Sequence, residues 1–351
     1  MNILIQKLSI IVTVSLAFVV IASADTFWQV GTGNWSTDAN WDNGEPVSGD
    51  IVTIRNNGTT QITDSNDEIC YDLTVGYWAG QEGTLDISGG SLTVEHYLTL
   101  PRYCDGFGTV NMSSGNLTAI REYIGDGGTG TKGGVFNHSG GTNTVSDYFT
   151  IGDDPNSKGL YNLSGTGVLN LTGSTVEFGM VVGNNGTGAF DQTGGTLNGD
   201  RKVKIGRYGT GTYTVSGGTM NAFRVEVSDN TSGSGTFRVT GNNATINLDW
   251  YLARGGNGTL ESEIDAGGIS TINVTEKALL SGTWNIIDSG AVPGSRYNIL
   301  VADSGFDSTT FSTVNLPNTT DWSWGIDGSV GNLTTLWVER APASGTLLVI
   351  Q

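Results

Sequence analysis

The groups in this sequence whose types and spacing could do chemistry are a few carboxylates, two short runs of basic residues and two imidazoles. The acidic candidates are Asp126, Asp153, Asp154, Asp200 and Asp265. A hydrolase acting on polysaccharide needs two or three clustered carboxylates. A lyase needs carboxylates holding Ca2+ together with an Arg or Lys base. Asp126 and Asp153 stand close to one repeat apart and are expected to stack at one corner, where turn carboxylates and carbonyls suit a hard cation such as Ca2+. Aspartate is also selected at corners for turn geometry alone, and that simpler reading is preferred. The basic candidates are Arg102 with His96, and Arg201-Lys202-Val203-Lys204 with Arg207. The second group reads as a solvated strand face.

Other constellations fail on residue type. There is no Gly-x-Ser-x-Gly elbow, no His-Glu-x-x-His and no Cys-x-x-Cys. His96 and His138 are the two histidines, too few for a zinc site or a histidine triad. Gly-x-Gly strings never open a helix, so a phosphate cradle is not expected. No residue is assigned a catalytic, cofactor-binding or metal-binding role. The one cation for which a case exists is Ca2+.

The elements that must position these groups follow from composition. The chain has 351 residues, of which 54 are Gly and only 14% are charged. Gly, Thr, Ser and Asn disfavour long helices, which argues against helical bundles and α/β enzymes. The net charge of −18 repels nucleic acid and anionic membrane surfaces. Residues 1–24 carry Lys7, an apolar run from Leu8 to Ile21 and the small-residue site Ala22-Ser23-Ala24, the pattern of a cleaved signal peptide. No membrane span is expected after that cleavage. Cys70 and Cys104 fall at opposite ends of a strand, which argues against a disulfide.

A repeat organises the rest. Gly-rich turns recur at Ser88-Gly89-Gly90, Ser113-Ser114-Gly115, Ser139-Gly140-Gly141, Ser164-Gly165-Thr166-Gly167, Thr193-Gly194-Gly195, Ser216-Gly217-Gly218, Thr240-Gly241-Asn242 and Ala266-Gly267-Gly268, at intervals of about 23 to 28 residues. Each unit holds three short strand signals. The first is Leu73-Thr-Val75 or Val203-Lys-Ile205, the second Gly83-Thr-Leu85-Asp-Ile87 or Gly211-Thr-Tyr213-Thr-Val215, and the third Leu92-Thr-Val94 or Ile246-Asn-Leu248. Three strands and three turns in so few residues describe one coil of a parallel β-helix. About eight coils are expected over 71–275, with glycines at corners that need positive φ. Phe136, Tyr161, Phe190, Tyr213 and Phe237 form an expected inward ladder, whose Tyr hydroxyls need partners, sought at a corner. His138 and Gln192 fall at the second inward position of the same strand, as a hydrogen-bonded internal ladder. Tyr77, Trp78, Tyr97, Tyr103, Tyr148 and Trp250 are expected to face outward, with Tyr97 and Tyr148 equivalent and two coils apart.

The flanks differ. Residues 25–70 contain Trp28, Gly33-Asn34-Trp35, Asn40-Trp41 and Gly49-Asp50-Ile51-Val52-Thr53-Ile54. This string, with the internal unit Gly209-Thr-Gly-Thr-Tyr-Thr-Val-Ser-Gly-Gly-Thr-Met-Asn221, resembles bacterial exported β-helical proteins. These are the autotransporter-passenger-like proteins and those carrying the PEP-CTERM-associated repeat. The resemblance, with the crossover rule, implies a single right-handed parallel β-helix, a Trp-rich N-terminal cap over 25–70 and a β-rich C-terminal cap over 276–351. It also implies an anchoring signal or a translocating barrel, and residues 341–351 read as neither. The expected function is an exported non-enzymatic structural or adhesion protein of the bacterial surface or matrix, with extracellular glycans as partners. Two alternatives are a polysaccharide lyase or hydrolase and a non-catalytic glycan-binding module.

Overall fold

The computed structural model describes residues 25–343, apart from 64, 79, 103–105, 128–132, 174–178, 229–231, 254–256 and 329–331. The expected leader at 1–24, Tyr103, Cys104 and the expected strand at 346–350 lie outside the described residues. The chain winds into a parallel β-solenoid of about 11 turns. The expected count of about eight was low because it followed the Gly pairs. Coils at both ends lack that pair and still stack in register, from Asp25–Phe27 on Ile51–Ile54 to Thr283–Asp288 on Thr313–Asn315. Inward side chains and ladder hydrogen bonds set the stack. At about 4.8 Å per coil the rod is roughly 50 Å long. Among the described residues no helix is long and apolar enough to cross a membrane.

Each coil presents three strands, and each strand alternates between the interior and the surface. Leu73, Leu98, Glu122, Phe149, Met180, Val203 and Val225 are successive inward partners on the first strand. On the second strand Phe136, Tyr161, Phe190, Tyr213 and Phe237 stack as expected. Ring centroids there are 4.7, 5.0 and 4.6 Å apart along the first four. Leu117, Asn143, Leu169, Leu197 and Met220 continue the third strand. Cys70 sits at the next inward position of this strand, opposite Val94, as a buried free thiol.

Glycines make two of the corners possible. The second Gly of each pair adopts a left-handed conformation, as at Gly141 (φ 79°) and Gly218 (φ 77°). The glycine that opens each second strand answers a different demand. A Cβ on Gly211 would lie 2.0 Å from the Val182 carbonyl oxygen of the preceding coil. No side chain tolerates that approach.

The ends are closed by aromatic and antiparallel packing. Trp28 and Trp35 meet Trp41 edge-on at 4.8 and 5.0 Å, and the Trp41 indole donates to the Trp35 carbonyl at 2.7 Å. At the other end Arg296–Ala302 runs parallel to the last full coil on one side. On its other side it pairs antiparallel with Thr334–Arg340, which in turn pairs antiparallel with Trp322–Asp327.

Gly211→Ala should therefore destabilise the fold by about 1–3 kcal/mol through overpacking. Gly31→Ala, where nothing lies within 4 Å of an added Cβ, should change little. Denaturant midpoints of the two variants compare them directly.

Candidate functional site

The first-strand ladder carries most of the chemistry on its outward side. Tyr97, Arg121 and Tyr148 occupy one outward position on three successive coils. This places Tyr97 and Tyr148 two coils apart, as expected. Tyr71, His96 and Tyr97 form a stack, with centroids 4.9 and 3.4 Å apart. Tyr123 lies 5.8 Å from Tyr97 and 6.2 Å from Tyr148. Arg121 locks this row: its Nε donates to Asp147 at 2.6 Å and its Nη1 to the Tyr97 hydroxyl at 3.3 Å. Tyr71 is exposed and the other rings lie half-buried along the sheet, where burial pushes the Tyr123 hydroxyl up to about 12. Trp78 stacks on Tyr77 and is exposed.

The row ends against carboxylates. Asp126 and Asp153 do meet at one corner, joined by Asp154, and one oxygen from each lies within 4.8 Å of the others. Asn184 donates to Asp153 at 2.7 Å, and Arg207 donates to Asn184 at 3.4 Å. Burial, then the charges of Asp153 and Asp154, raise the Asp126 carboxyl to about 7. Crowded like charges are relieved by protonating one member. The same oxygen-only donor set suits Ca2+.

Other sequence candidates stay apart. Asp200 is exposed on the third-strand side beside Arg201. Asp265 accepts from the Gly267 amide at 2.7 Å as a turn residue. His96 pairs with Asp72 at 3.0 Å. The basic run is not the solvated face expected of it. Lys204 is 5% exposed and faces Glu226 of the next coil at 3.7 Å.

No protein-family model matches this chain, and no curated protein sequence matches it. Function must therefore be argued from geometry.

The interior holds a polar cluster that the sequence reading found only in part. Tyr161 donates its hydroxyl not at a corner but to His138 Nδ1 of the preceding coil, at 2.7 Å. His138 Nε2 lies 3.1 Å from the Gly141 carbonyl. A carbonyl only accepts, so Nε2 carries the proton and Nδ1 is the acceptor. Burial lowers this imidazole to about 4, which keeps it neutral. Asn143 bridges onward, with its Nδ2 3.5 Å from the Tyr161 oxygen and 3.1 Å from Glu122 Oε2. Glu122 Oε1 and Asn143 Oδ1 are both buried without a partner. A protonated Glu122 supplies the missing donor, and burial does push its carboxyl up to about 8. Both residues were missed, yet a signal existed. Glu122 stands where the first-strand pattern has Leu98 and Phe149, and Asn143 where the third has Leu117 and Leu169.

Two further pairs repeat the Tyr161 arrangement. Tyr213 donates to Gln192 Oε1 at 2.7 Å, and the Trp284 indole donates to Ser262 Oγ at 3.0 Å. In each case a polar-tipped aromatic meets the second inward residue of the coil before it. Tyr161→Phe should cost about 1–3 kcal/mol by stranding His138 Nδ1, measured as a lower urea midpoint.

The cluster also sets a pH dependence. Glu122 is faced by Asn143 and Tyr161, and its folded pKa lies above its unfolded one. The folded state then binds more protons between about pH 4.5 and 8, so stability falls as pH rises through that window. His138 acts oppositely, losing stability as pH falls from 6.5 toward 4. Urea midpoints between pH 6 and 8 should decline for the wild type and decline much less for Glu122→Gln, the remainder being due to Asp126.

Proposed function

We propose that this chain is an exported, non-enzymatic structural or adhesion-type protein of the bacterial surface or extracellular matrix, and that it binds glycans on its first-strand face. The row Tyr71, His96, Tyr97, Tyr123 and Tyr148 carries this reading. Sugar rings have apolar faces that stack on aromatic ones, and rings fixed at coil spacing offer a rigid platform at low entropic cost. Arg121 and Asp147 add hydrogen-bonding groups at the rim. The leader-like residues 1–24 and the resemblance to exported β-helical proteins support export.

A second reading is favoured by one observation. Asp126 is shifted to about 7 beside two carboxylates within 4.8 Å, and a retaining glycoside hydrolase uses carboxyl groups about 5–5.5 Å apart. On that reading the aromatic row would hold substrate for hydrolysis.

Retention on insoluble polysaccharides and release of new reducing ends or unsaturated products, with and without Ca2+, separate the two. The binding reading expects retention that falls tenfold or more for Tyr97→Ala with Tyr148→Ala and is unchanged in Asp126→Asn. Product formation that disappears in Asp126→Asn would replace it with the enzymatic one. Retention insensitive to the tyrosines would remove the first-strand face from either.

A further inference from the structure

The third-strand side carries a second, differently built surface. Asn170, Asn198, Asn221 and Asn247 occupy one outward position on four successive coils. The last three amides each donate to the one before. Asn198 Nδ2 reaches Asn170 Oδ1 at 3.0 Å, Asn221 reaches Asn198 at 3.1 Å, and Asn247 reaches Asn221 at 3.0 Å. This uses one N–H of each linked amide and fixes its plane, so the second N–H of each points away from the ladder. Beside the ladder runs a groove of about 500 Å3 whose floor and wall include Leu171, Gly199, Ala222, Leu248 and Phe223. Gly199 and Ala222 are the small members of a ladder that has Leu171 and Leu248 on either side. Among the described residues the charged ones lining it are Asp200 and Asp249, both exposed, and none lining it is basic. Arg201 Nε lies 3.4 Å from one Asp200 oxygen, and Thr275 donates to one Asp249 oxygen at 3.0 Å.

We propose that this groove binds a linear polysaccharide bearing amino groups, laid along the rod axis with hydroxyls on the asparagine amides, a ring face on Phe223 and ammonium groups at Asp200 and Asp249. The proposal rests on the glycan-binding reading but places a second site on another face. A ladder of donors at about 4.8 Å beside an apolar strip matches a polymer that alternates hydroxyls with apolar ring faces. The two carboxylates stand two coils apart, roughly 10 Å, and complement a periodic cation. Polyanions, including uronate chains and nucleic acids, meet like charge here and over a surface of net charge −18. An extended peptide gains little, since the backbone groups of this face already pair with neighbouring coils and leave no edge to extend.

Titration calorimetry of the full chain with a β-1,4-linked glucosamine oligomer tests this, with its N-acetylated counterpart and polygalacturonate as comparisons. The amine oligomer should bind at least tenfold more tightly than either comparison, and its binding should weaken with salt. Asp200→Asn with Asp249→Asn, on exposed side chains that the fold does not need, should reduce its affinity at least tenfold, as should Phe223→Ala. Asp200→Lys with Asp249→Lys should instead admit polygalacturonate. Equal binding of the acetylated oligomer, or binding indifferent to these variants, overturns the proposal. Loss of oligomer binding in Tyr97→Ala with Tyr148→Ala, with the groove variants unaffected, overturns it while leaving the first-strand reading intact. Binding that depends on the groove while no polysaccharide depends on the tyrosines keeps the groove and removes the other face.

Discussion

Stacking at about 4.8 Å per coil forces equivalent residues of successive coils into contact, and nearly every other feature of this protein is a response to that closeness. At the corners the response is to remove the side chain. The Val182 carbonyl approaches the Gly211 Cα so closely that a methyl group has no room. In the interior the response is to choose side chains that stack on copies of themselves, as the Phe and Tyr rings at 136, 161, 190 and 213 do. On the surface it is to choose side chains that hydrogen-bond to their own kind, as the asparagines at 170, 198, 221 and 247 do.

The same closeness makes the interior tolerant of polar groups, provided each is answered from the next coil. His138, Gln192 and Ser262 each receive the polar tip of an aromatic residue 21 to 23 positions later. Buried donors and acceptors are then satisfied without water. Glu122 with Asn143 departs from this pattern, since Glu122 Oε1 and Asn143 Oδ1 have no partner, and burial raises the carboxyl so that it keeps its proton. At one half-buried corner the carboxylates Asp126, Asp153 and Asp154 crowd together instead.

The fold was legible in the sequence because glycine spacing and period-two alternation act locally. The aromatic ladder and the meeting of Asp126 with Asp153 follow from counting residues per coil. Less was legible where coils lack the usual marker. The terminal coils have no Gly pair, which shortened the expected solenoid, yet Ile51–Ile54 still stacks on Asp72–Val75. Lys204 looked solvated because its partner Glu226 stands on the next coil, which a single repeat does not display. Tyr hydroxyl partners were sought at corners because one coil offers nothing inside; the donor and acceptor belong to different coils. The candidate site was half visible for the same reason. Its rings could be named, but their continuity through Arg121 and Tyr123 depends on the register.

A parallel solenoid is, in its hydrogen bonding, a one-chain segment of cross-β fibril, and its last coil is a template on which another molecule's strand could polymerise. The C-terminal pair of strands removes that option on the third-strand face. Thr334–Arg340 pairs antiparallel with Arg296–Ala302, so the polarity of the ladder reverses there. An incoming parallel coil finds the wrong alternation of donors and acceptors, and the edge beyond is the short strand Trp322–Asp327. On that face, reversed strand direction opposes fibre growth.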